Sequence, residues 1–434
     1  MFLTCFRKTR RFVYRSLIKI FSTLNYVYWH SKHKKKLKEL KETYKTKKIR
    51  VGFLGYLDGP SCDVFTDLYR QFLKNDDFEC SIVVVPYTHD YKDKMIAKQD
   101  IAAKYLENLN IKPLLGYNKE HDSFNDYSDL FDIVFFEIEY DWVNPLFRAD
   151  NFRNCLTYII PYGQYLADNI WCHMTYKMMS EVYCIFPTSV SVQKMMKKYS
   201  SVWGKNICPQ YLGNPKIDKF FIDSNSFKDV WKKAKPNQKR IIWAPHHTWA
   251  DYSNFLTYYQ YFLDLAQDNE DTLFISIKPH PALKDSLKKI NGWSDQQITE
   301  YFDLWKNGTN TDIFEGEWYD LFYSSDAMIL DSVGFMLEYS LTGKPACVLY
   351  KTDNDGDRLM KFSECGEQVY DILYHAQNKT EIEKFIKMVS INEDPKLDLR
   401  SKYIKDNYLP PYGNSGSVNI YNYILNTLSS NGTR

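Results

Sequence analysis

The chain has little of what marks several whole classes of protein. Seventeen Gly and 16 Pro in 434 residues are far too few for a collagen or a low-complexity linker. No segment holds the roughly 18 uninterrupted apolar residues that a membrane-spanning helix needs, which argues against a spanning protein. The nine Cys include no Cys-x-x-Cys pair, and Cys184 sits inside the apolar run from Val182 to Phe186. That usage suits a reducing cytosol and argues against a disulfide framework or a zinc ribbon. Gly52, Gly55 and Gly59 lack the Gly-x-Gly-x-x-Gly spacing of a dinucleotide site, and no Gly-x-x-x-x-Gly-Lys-[Ser/Thr] loop occurs. Asp353, Asp355, Asp357 and Glu364 imitate a calcium loop, but Arg358 stands where that loop requires Gly. What is plentiful is core material: 44% hydrophobic and 17% aromatic residues, enough for two or three domains.

Positive charge is concentrated at one end. Residues 1–50 hold 16 Lys and Arg against Glu39 and Glu42, a net of +14, and the rest of the chain carries a net of −12. Arg15 and Lys19 break the apolar stretch a secretory signal would need, and no small-residue cleavage site follows. Phe2, Phe6, Val13, Leu17, Ile20, Phe21 and Leu24 fall at mostly helical spacing between basic residues, with Tyr26, Tyr28 and Trp29 beyond them. A basic amphipathic helix with flanking aromatics suits an anionic membrane surface, and Lys32, Lys34, Lys35, Lys36 and Lys38 add to its attraction. The alternatives are a solvated arm or a nonspecific nucleic-acid patch. No nucleic-acid partner is expected.

From Ile49 onward short continuous apolar runs recur: Ile49–Leu54, Cys80–Val85, Asp132–Ile138, Leu156–Ile160 and Tyr183–Phe186. After a Lys-rich interruption at 213–239 the series resumes at Arg240–Ala244, Thr272–Ile277, Thr311–Phe314, Ala327–Leu330 and Ala346–Tyr350. Strands that read as continuous apolar runs are buried on both faces, the mark of a parallel sheet between helices. The expected fold is therefore α/β, with two doubly wound Rossmann-like domains facing a cleft. The expected organisation is a basic amphipathic membrane-surface segment at 1–48, an N-terminal Rossmann-like acceptor domain at 49–215, a C-terminal Rossmann-like nucleotide-donor domain at 216–390 and a helical tail at 391–434.

Ligands of such sheets bind at the carboxyl ends of the strands. There the second half carries Pro245-His246-His247-Thr248-Trp249, Lys278-Pro279-His280-Pro281 and Asp331-Ser332-Val333-Gly334. Another His, His89, follows the second strand of the first half. One His beside a Pro is usually a turn residue, but three such loops on neighbouring strand ends argue for a shared site. His246 and His247, adjacent on an extended loop, are expected to point apart. A zinc site from His246, His280 and a carboxylate lacks metal-ligand spacing, and no metal or other cofactor is expected. Ser332, Val333 and Gly334 open a helix whose backbone amides suit a phosphate; Asp331 and Ser332 also suit an ordinary N-cap. Glu338, one to two turns inside, is either within reach of a ribose hydroxyl or a surface carboxylate.

The order Ala-Pro-His-His-Thr (244–248), Lys-Pro-His-Pro (278–281) and Asp-Ser-Val-Gly-Phe-Met-Leu-Glu-Tyr through Gly-Lys-Pro (331–345), preceded by Gly-Asn-Pro-Lys-Ile-Asp (213–218), resembles the CDP-glycerol glycerophosphotransferase family. The resemblance spans roughly residues 155–350. It implies a GT-B fold and transfer of glycerol phosphate from CDP-glycerol to a hydroxyl of a polysaccharide or lipid-linked acceptor, with release of CMP, as in teichoic-acid and capsule synthesis in bacteria. It also implies a cytoplasmic protein, peripheral on the inner face of the cell membrane. His280 matches the His that lies at the donor pyrophosphate, the 244–248 loop a phosphate-contacting loop, and Asp331-Ser332 the cytidine-diphosphate site. The chain departs from the family where a His-Gly-Thr-Pro-Leu-Lys segment carries the presumed general base. Here it reads Ile160-Pro-Tyr-Gly-Gln-Tyr-Leu166, and the family's paired serines become Ser332 followed by Val333 and Gly334.

Phosphoryl transfer needs an in-line hydroxyl and neutralisation of charge on the transferring oxygens. Lys278, His280 and the helix-start amides supply the charge; the base is His246 or His247, with Asp168 and Glu139 as further options. Two other functions share the pattern: a GT-B glycosyltransferase using CMP-sialic acid or CMP-Kdo, and a catalytically inactive nucleotide-binding scaffold on the membrane.

Overall fold

The computed structural model describes residues 2–55, 63–168, 173, 177–199, 209–222, 227–315 and 318–430, with the backbone alone for 2–19, 21, 22 and 222. Gly59 and the amphipathic pattern from Phe2 to Leu17 therefore lie outside the described side chains.

The strands of the first unit are β1 (Ile49–Gly55), β2 (Phe78–Val84), β3 (Leu114–Leu115), β4 (Tyr117–Asn118), β5 (Ser123–Phe124), β6 (Ile133–Phe136), β7 (Leu156–Ile159) and β8 (Cys184–Ile185). Apart from the small β4–β5 hairpin they form one parallel sheet in the order β3-β2-β1-β6-β7-β8. The second unit holds β9 (Lys239–Ala244), β10 (Leu273–Ile277), β11 (Thr311–Ile313), β12 (Ala327–Leu330), β13 (Ala346–Leu349) and β14 (Tyr374–Ala376), parallel in the order β11-β10-β9-β12-β13-β14. Every residue of β6, β7, β10, β12 and β13 is buried, as the continuous apolar runs require for sheets covered on both faces. Each sheet thus has the doubly wound strand order, which reverses between β1 and β6 in one unit and between β9 and β12 in the other.

The units are discontinuous in sequence. One comprises residues 1–164, 169–221 and 407–434, the other 165–168 and 222–406. The 391–434 tail is accordingly not a separate element. Its last helix, Gly416–Ser429, buries Ile420, Ile424 and Leu428 in the core of the first unit, with the Tyr421 ring edge-on to Phe72 at 5.0 Å. The Gly213–Asp218 segment, which reads as a boundary in sequence, anchors that helix. Asp218 accepts Gly416 N–H at 2.7 Å and Ser417 N–H at 2.9 Å, and Gly213, at φ +99°, lies so close to Gly416 that a Cβ there would stand 2.6 Å from its Cα. Asp168 belongs to the second unit, where its N–H bonds Lys361 O at 3.3 Å.

The N-terminal segment also differs from a free arm. The helix Phe2–Thr43 buries Tyr26, Trp29, His33 and Leu40 against the first unit, because an aromatic face at helical spacing has a domain surface to cover. His33 Nε2 pairs with Thr157 Oγ1 on β7 at 3.0 Å, and Lys36 pairs with Asp132 at 3.0 Å. Tyr26 and Trp29 are therefore core residues rather than interfacial aromatics. Ile20, Leu24, Val27 and Tyr28 are exposed. Among the described residues no helix is long and apolar enough to cross a membrane.

Candidate active site

The loops after β9, β10 and β12 are held together by their own backbones. Lys278 N–H donates to Trp243 O at 2.8 Å and His280 N–H to Pro245 O at 3.1 Å, continuing the β9–β10 ladder past the strand ends. This continuation sets His280 beside the His246–His247 pair. The ring centroids of His246 and His247 are 4.0 Å apart, His246 and His280 4.6 Å, and His247 and His280 4.8 Å. The expectation that the adjacent histidines point apart is corrected here, because the loop turns back at His247, where Ala250 N–H returns to His247 O at 3.4 Å.

Asp331, on the far side of the strand reversal, ties the His loop down. It is 1% exposed; Oδ1 accepts His246 N–H at 2.6 Å and Oδ2 accepts Asn254 N–H. Burial raises its pKa to about 6, against the pull of those amides and of Lys351. Both oxygens are occupied by backbone, so Asp331 acts on the loop and not as a free anion facing a donor phosphate. Thr248 completes the clamp, its N–H on Ser286 Oγ at 3.0 Å and its hydroxyl on Asn291 Oδ1 at 2.6 Å.

The electrostatics follow from burial. His246 is held neutral, its pKa pushed down to about 3 by burial, with His280 and His247 adding to the shift; burial also lowers His247. Nδ1 of each is buried without a hydrogen-bond partner among the described residues. Ala282 N–H donates to His280 Nδ1 at 3.1 Å, fixing that tautomer. Lys278 is 8% exposed, and its burial lowers its pKa against the opposing charge of Glu315.

Ser332 precedes the helix Val333–Ser340, yet its hydroxyl makes no cap bond, so the ordinary N-cap reading does not describe it. Gly334 is exposed, and a Cβ there would meet nothing within 4 Å, so its neighbours do not require Gly. Glu338 is 5% exposed, which removes the surface-carboxylate reading. The described contacts join His246, His247, His280 and Asp331; they do not join Ser332, Val333, Gly334 or Glu338 to the histidines.

Asn254, Ser286, Asn291 and Lys351 hold the site together and went unnoticed in sequence. Lys351 has a legible signal in its place just past β13, and its Nζ reaches Ser253 O. The other three lie in helices or turns with no pattern of their own. Chemically, three imidazoles with ring nitrogens within 4.8 Å of one another suit two ligands: phosphate oxygens, which accept imidazole N–H groups, or one borderline metal ion such as Zn²⁺. Sequence spacing argued against the second, but spacing does not register ligands brought together from two strand ends.

No family model matches the chain, and no curated protein matches it. Solved structures do. The chain is 14% identical to S. aureus MnaA, solved with UDP, at a TM-score of 0.56 over 89% of this chain and 99% of that one. A UDP-N-acetylglucosamine 2-epimerase from Neisseria meningitidis, bound to UDP-GlcNAc, gives 0.52 at 14% identity over 88% and 99%. The wall teichoic acid polymerase TagF, solved with CDPG, gives 0.51 at 13% identity over 99% and 98%. The chain has the GT-B type of fold, two Rossmann-like domains in one chain.

Proposed function

We propose that the protein transfers glycerol phosphate, or a related alditol phosphate, from a CDP-activated donor to a hydroxyl of a cell-envelope polysaccharide or lipid-linked acceptor, releasing CMP. The observation that carries this reading is the cluster of His246, His247 and His280 at the strand reversal of the second domain, with Lys278 two residues away. A donor pyrophosphate lies against these imidazoles and the Lys278 ammonium. The amides of Val333 and Gly334, with the uncapped Ser332 hydroxyl beside them, take further phosphate oxygens, and the open space over Gly334 admits them. The neutral imidazoles act as hydrogen-bond donors, and charge developing on the leaving CMP is met by groups already in place.

The likeness to TagF supports a CDP donor, and the likeness to the epimerases names uridine as the competing class. Thermal stabilisation by CDP-glycerol, CDP-ribitol, CMP-sialic acid, CMP-Kdo and UDP-GlcNAc separates them. A ligand at 100 times its Kd adds about 2.7 kcal/mol, and the CDP-alditols are expected to give the largest shift. The largest shift from UDP-GlcNAc would overturn the reading, and the mass of the product separates phosphate transfer from sugar transfer.

A place on the inner face of the membrane fits the same function. Ile20, Leu24, Val27 and Tyr28 leave an apolar stripe exposed on a helix that continues into Lys32, Lys34, Lys35 and Lys38.

A further inference from the structure

His89, at the carboxyl end of β2, has no part in the histidine cluster of the second unit, yet it stands in a cluster of its own. In the first sheet β2 and β6 flank β1. The segments that follow them are zipped together: Tyr87 pairs with Val143 in an antiparallel bridge, and Thr88 gives Trp142 O its N–H at 3.0 Å and its hydroxyl at 2.9 Å. This pairing gathers four rings on one surface. The centroid of Trp142 lies 4.5 Å from that of Tyr140, 5.2 Å from that of His89 and 5.5 Å from that of Tyr87. His89 is exposed, and Trp142 keeps 38% of its surface in water. Rings left in water on loops fixed by backbone bonds form a contact surface rather than core.

Beside the rings opens a pocket of about 310 Å³, lined by Gly55, Val85, Glu137, Tyr140, Val143 and Arg148 among others. Tyr140 belongs to both, and Val143 lines the pocket while pairing with Tyr87, so rings and pocket are one continuous surface. Glu137 is 1% exposed, and a Cβ on Gly55 would stand 2.2 Å from its Oε2, so a side chain at 55 would displace the carboxylate. Arg148 Nη2 donates to Asp141 O at 2.9 Å and Val143 O at 3.1 Å, while its Nε has no hydrogen-bond partner among the described residues. A carboxylate accepts hydroxyl protons and a guanidinium donates to hydroxyl oxygens. Ring faces next to that pair suit a pyranose, which has apolar C–H faces and a rim of hydroxyls. The volume is at the low end of the roughly 300–1,000 Å³ of ligand pockets, which favours a single sugar ring inside and its neighbours along the rings outside.

Charge separates a neutral glycan from a poly(alditol phosphate), which carries a negative charge on every unit and calls for surplus cations. Here the cations are matched. Lys94 and Lys98 both pair with Asp90, at 3.1 and 2.9 Å, and Lys98 also lies over the Tyr87 ring at 5.3 Å. Arg148 Nε stands 3.8 Å from Asp141 Oδ1. With Glu137 in the pocket, three cations face three carboxylates.

We propose that this surface of the first unit binds a neutral pyranose glycan, with Trp142 and His89 as its ring contacts and Glu137 and Arg148 as its hydroxyl contacts. Calling that glycan the acceptor rests on the transferase reading above; the binding does not.

The test applies the full chain to an array of neutral bacterial envelope polysaccharides, with poly(glycerol phosphate) and poly(ribitol phosphate) beside them, and measures its thermal shift with CDP-glycerol separately. Saturable binding to a neutral glycan is expected, and it should persist in about 1 M NaCl, where the Debye length is about 3 Å. Trp142→Ala and His89→Ala should each weaken it about tenfold, the worth of one aromatic contact. His89 is exposed, so His89→Ala should melt like wild type, and Trp142→Phe should recover part of the affinity. Wild-type affinity in both Ala variants would overturn the site, as would binding confined to the polyphosphates and released by salt. If CDP-glycerol binds and no neutral glycan does, the glycan site fails alone. If a neutral glycan binds through Trp142 and CDP-glycerol does not, the glycan site stands and the donor reading fails.

Discussion

Asp331 accepts the backbone N–H of His246 at 2.6 Å across the point where the second sheet reverses its strand order. A side chain from the end of β12 thereby sets the path of the loop that follows β9. The function of Asp331 in this arrangement is geometric: it places imidazoles.

Replacing Asp331 by Ala leaves the buried N–H groups of His246 and Asn254 without acceptors. Each such loss costs about 1–3 kcal/mol, so the melting temperature should fall by several degrees and donor affinity with it. A variant that melts and binds like wild type would show that the loop holds its path without the clamp.

His280→Ala should lower the transfer rate about 10²–10³-fold, the usual cost of removing one electrostatic contact to a transition state, with the fold intact. Because His246 and His247 both face His280, His246→Asn and His247→Asn should each weaken donor binding rather than only one of them. Strong destabilisation by His280→Ala with normal transfer per folded molecule would make His280 a turn residue. A chelator should leave the rate unchanged if the three rings hold phosphate; loss of activity restored by Zn²⁺ would assign the cluster to a metal.

The same rings predict a pH dependence of stability. His246 falls from 6.5 to about 3 on folding, so its contribution is whole above 6.5 and is lost as pH falls toward 3. Asp331 rises from 3.8 to about 6 and works in the opposite sense, its contribution lost as pH rises through 6. The histidine shift is the larger and His247 moves the same way, so the melting temperature should drop between pH 7 and pH 5. His246→Asn should flatten that drop, and an equal drop in the variant would place its cause elsewhere.

Much of this was legible because parallel strands announce themselves. Each apolar run, from Ile49–Leu54 to Ala346–Tyr350, overlaps a strand of the two sheets, and the loops carrying His246, His280 and Asp331 fall at their carboxyl ends. Long-range packing was not legible. Nothing local in Gly416–Ser429 says that it returns to the first domain, since what holds it there is its contact with Asp218, some 200 residues away in sequence. The pairing of Glu139 Oε1 with His173 Nδ1, 2.5 Å apart, was invisible for the same reason. Tyr26 and Trp29 misled because an aromatic stripe on a basic helix covers a domain surface as readily as a bilayer.

The returning helix carries its own prediction. Removing residues 407–434 should unfold or aggregate the first domain, because Phe72, Phe78 and Phe186 lose the cover of Tyr421 and Tyr423. Asp218→Ala should reproduce part of the effect, leaving two buried N–H groups at about 1–3 kcal/mol each. A soluble truncated chain with a wild-type melting temperature would contradict the packing.

The N-terminal helix separates two kinds of substitution on one element. Trp29 is 3% exposed against the first domain, so Trp29→Ala should cost about 3–5 kcal/mol as a large buried side chain does. Deleting residues 1–47 should therefore destabilise the domain rather than merely release it from a membrane. Leu24, at 64% exposure, Val27, at 60%, and Tyr28, at 47%, touch little protein, and changing all three to Ser should leave the melting temperature within about 1 kcal/mol of wild type. Sedimentation with anionic liposomes at low salt is the deciding measurement. The triple variant should lose most of its binding, and salt should release the wild type, because exposed charge is screened within a Debye length of about 10 Å at 0.1 M. Undiminished binding by the triple variant would leave the lysines alone to hold the surface, and no binding by wild type would remove the membrane from the account.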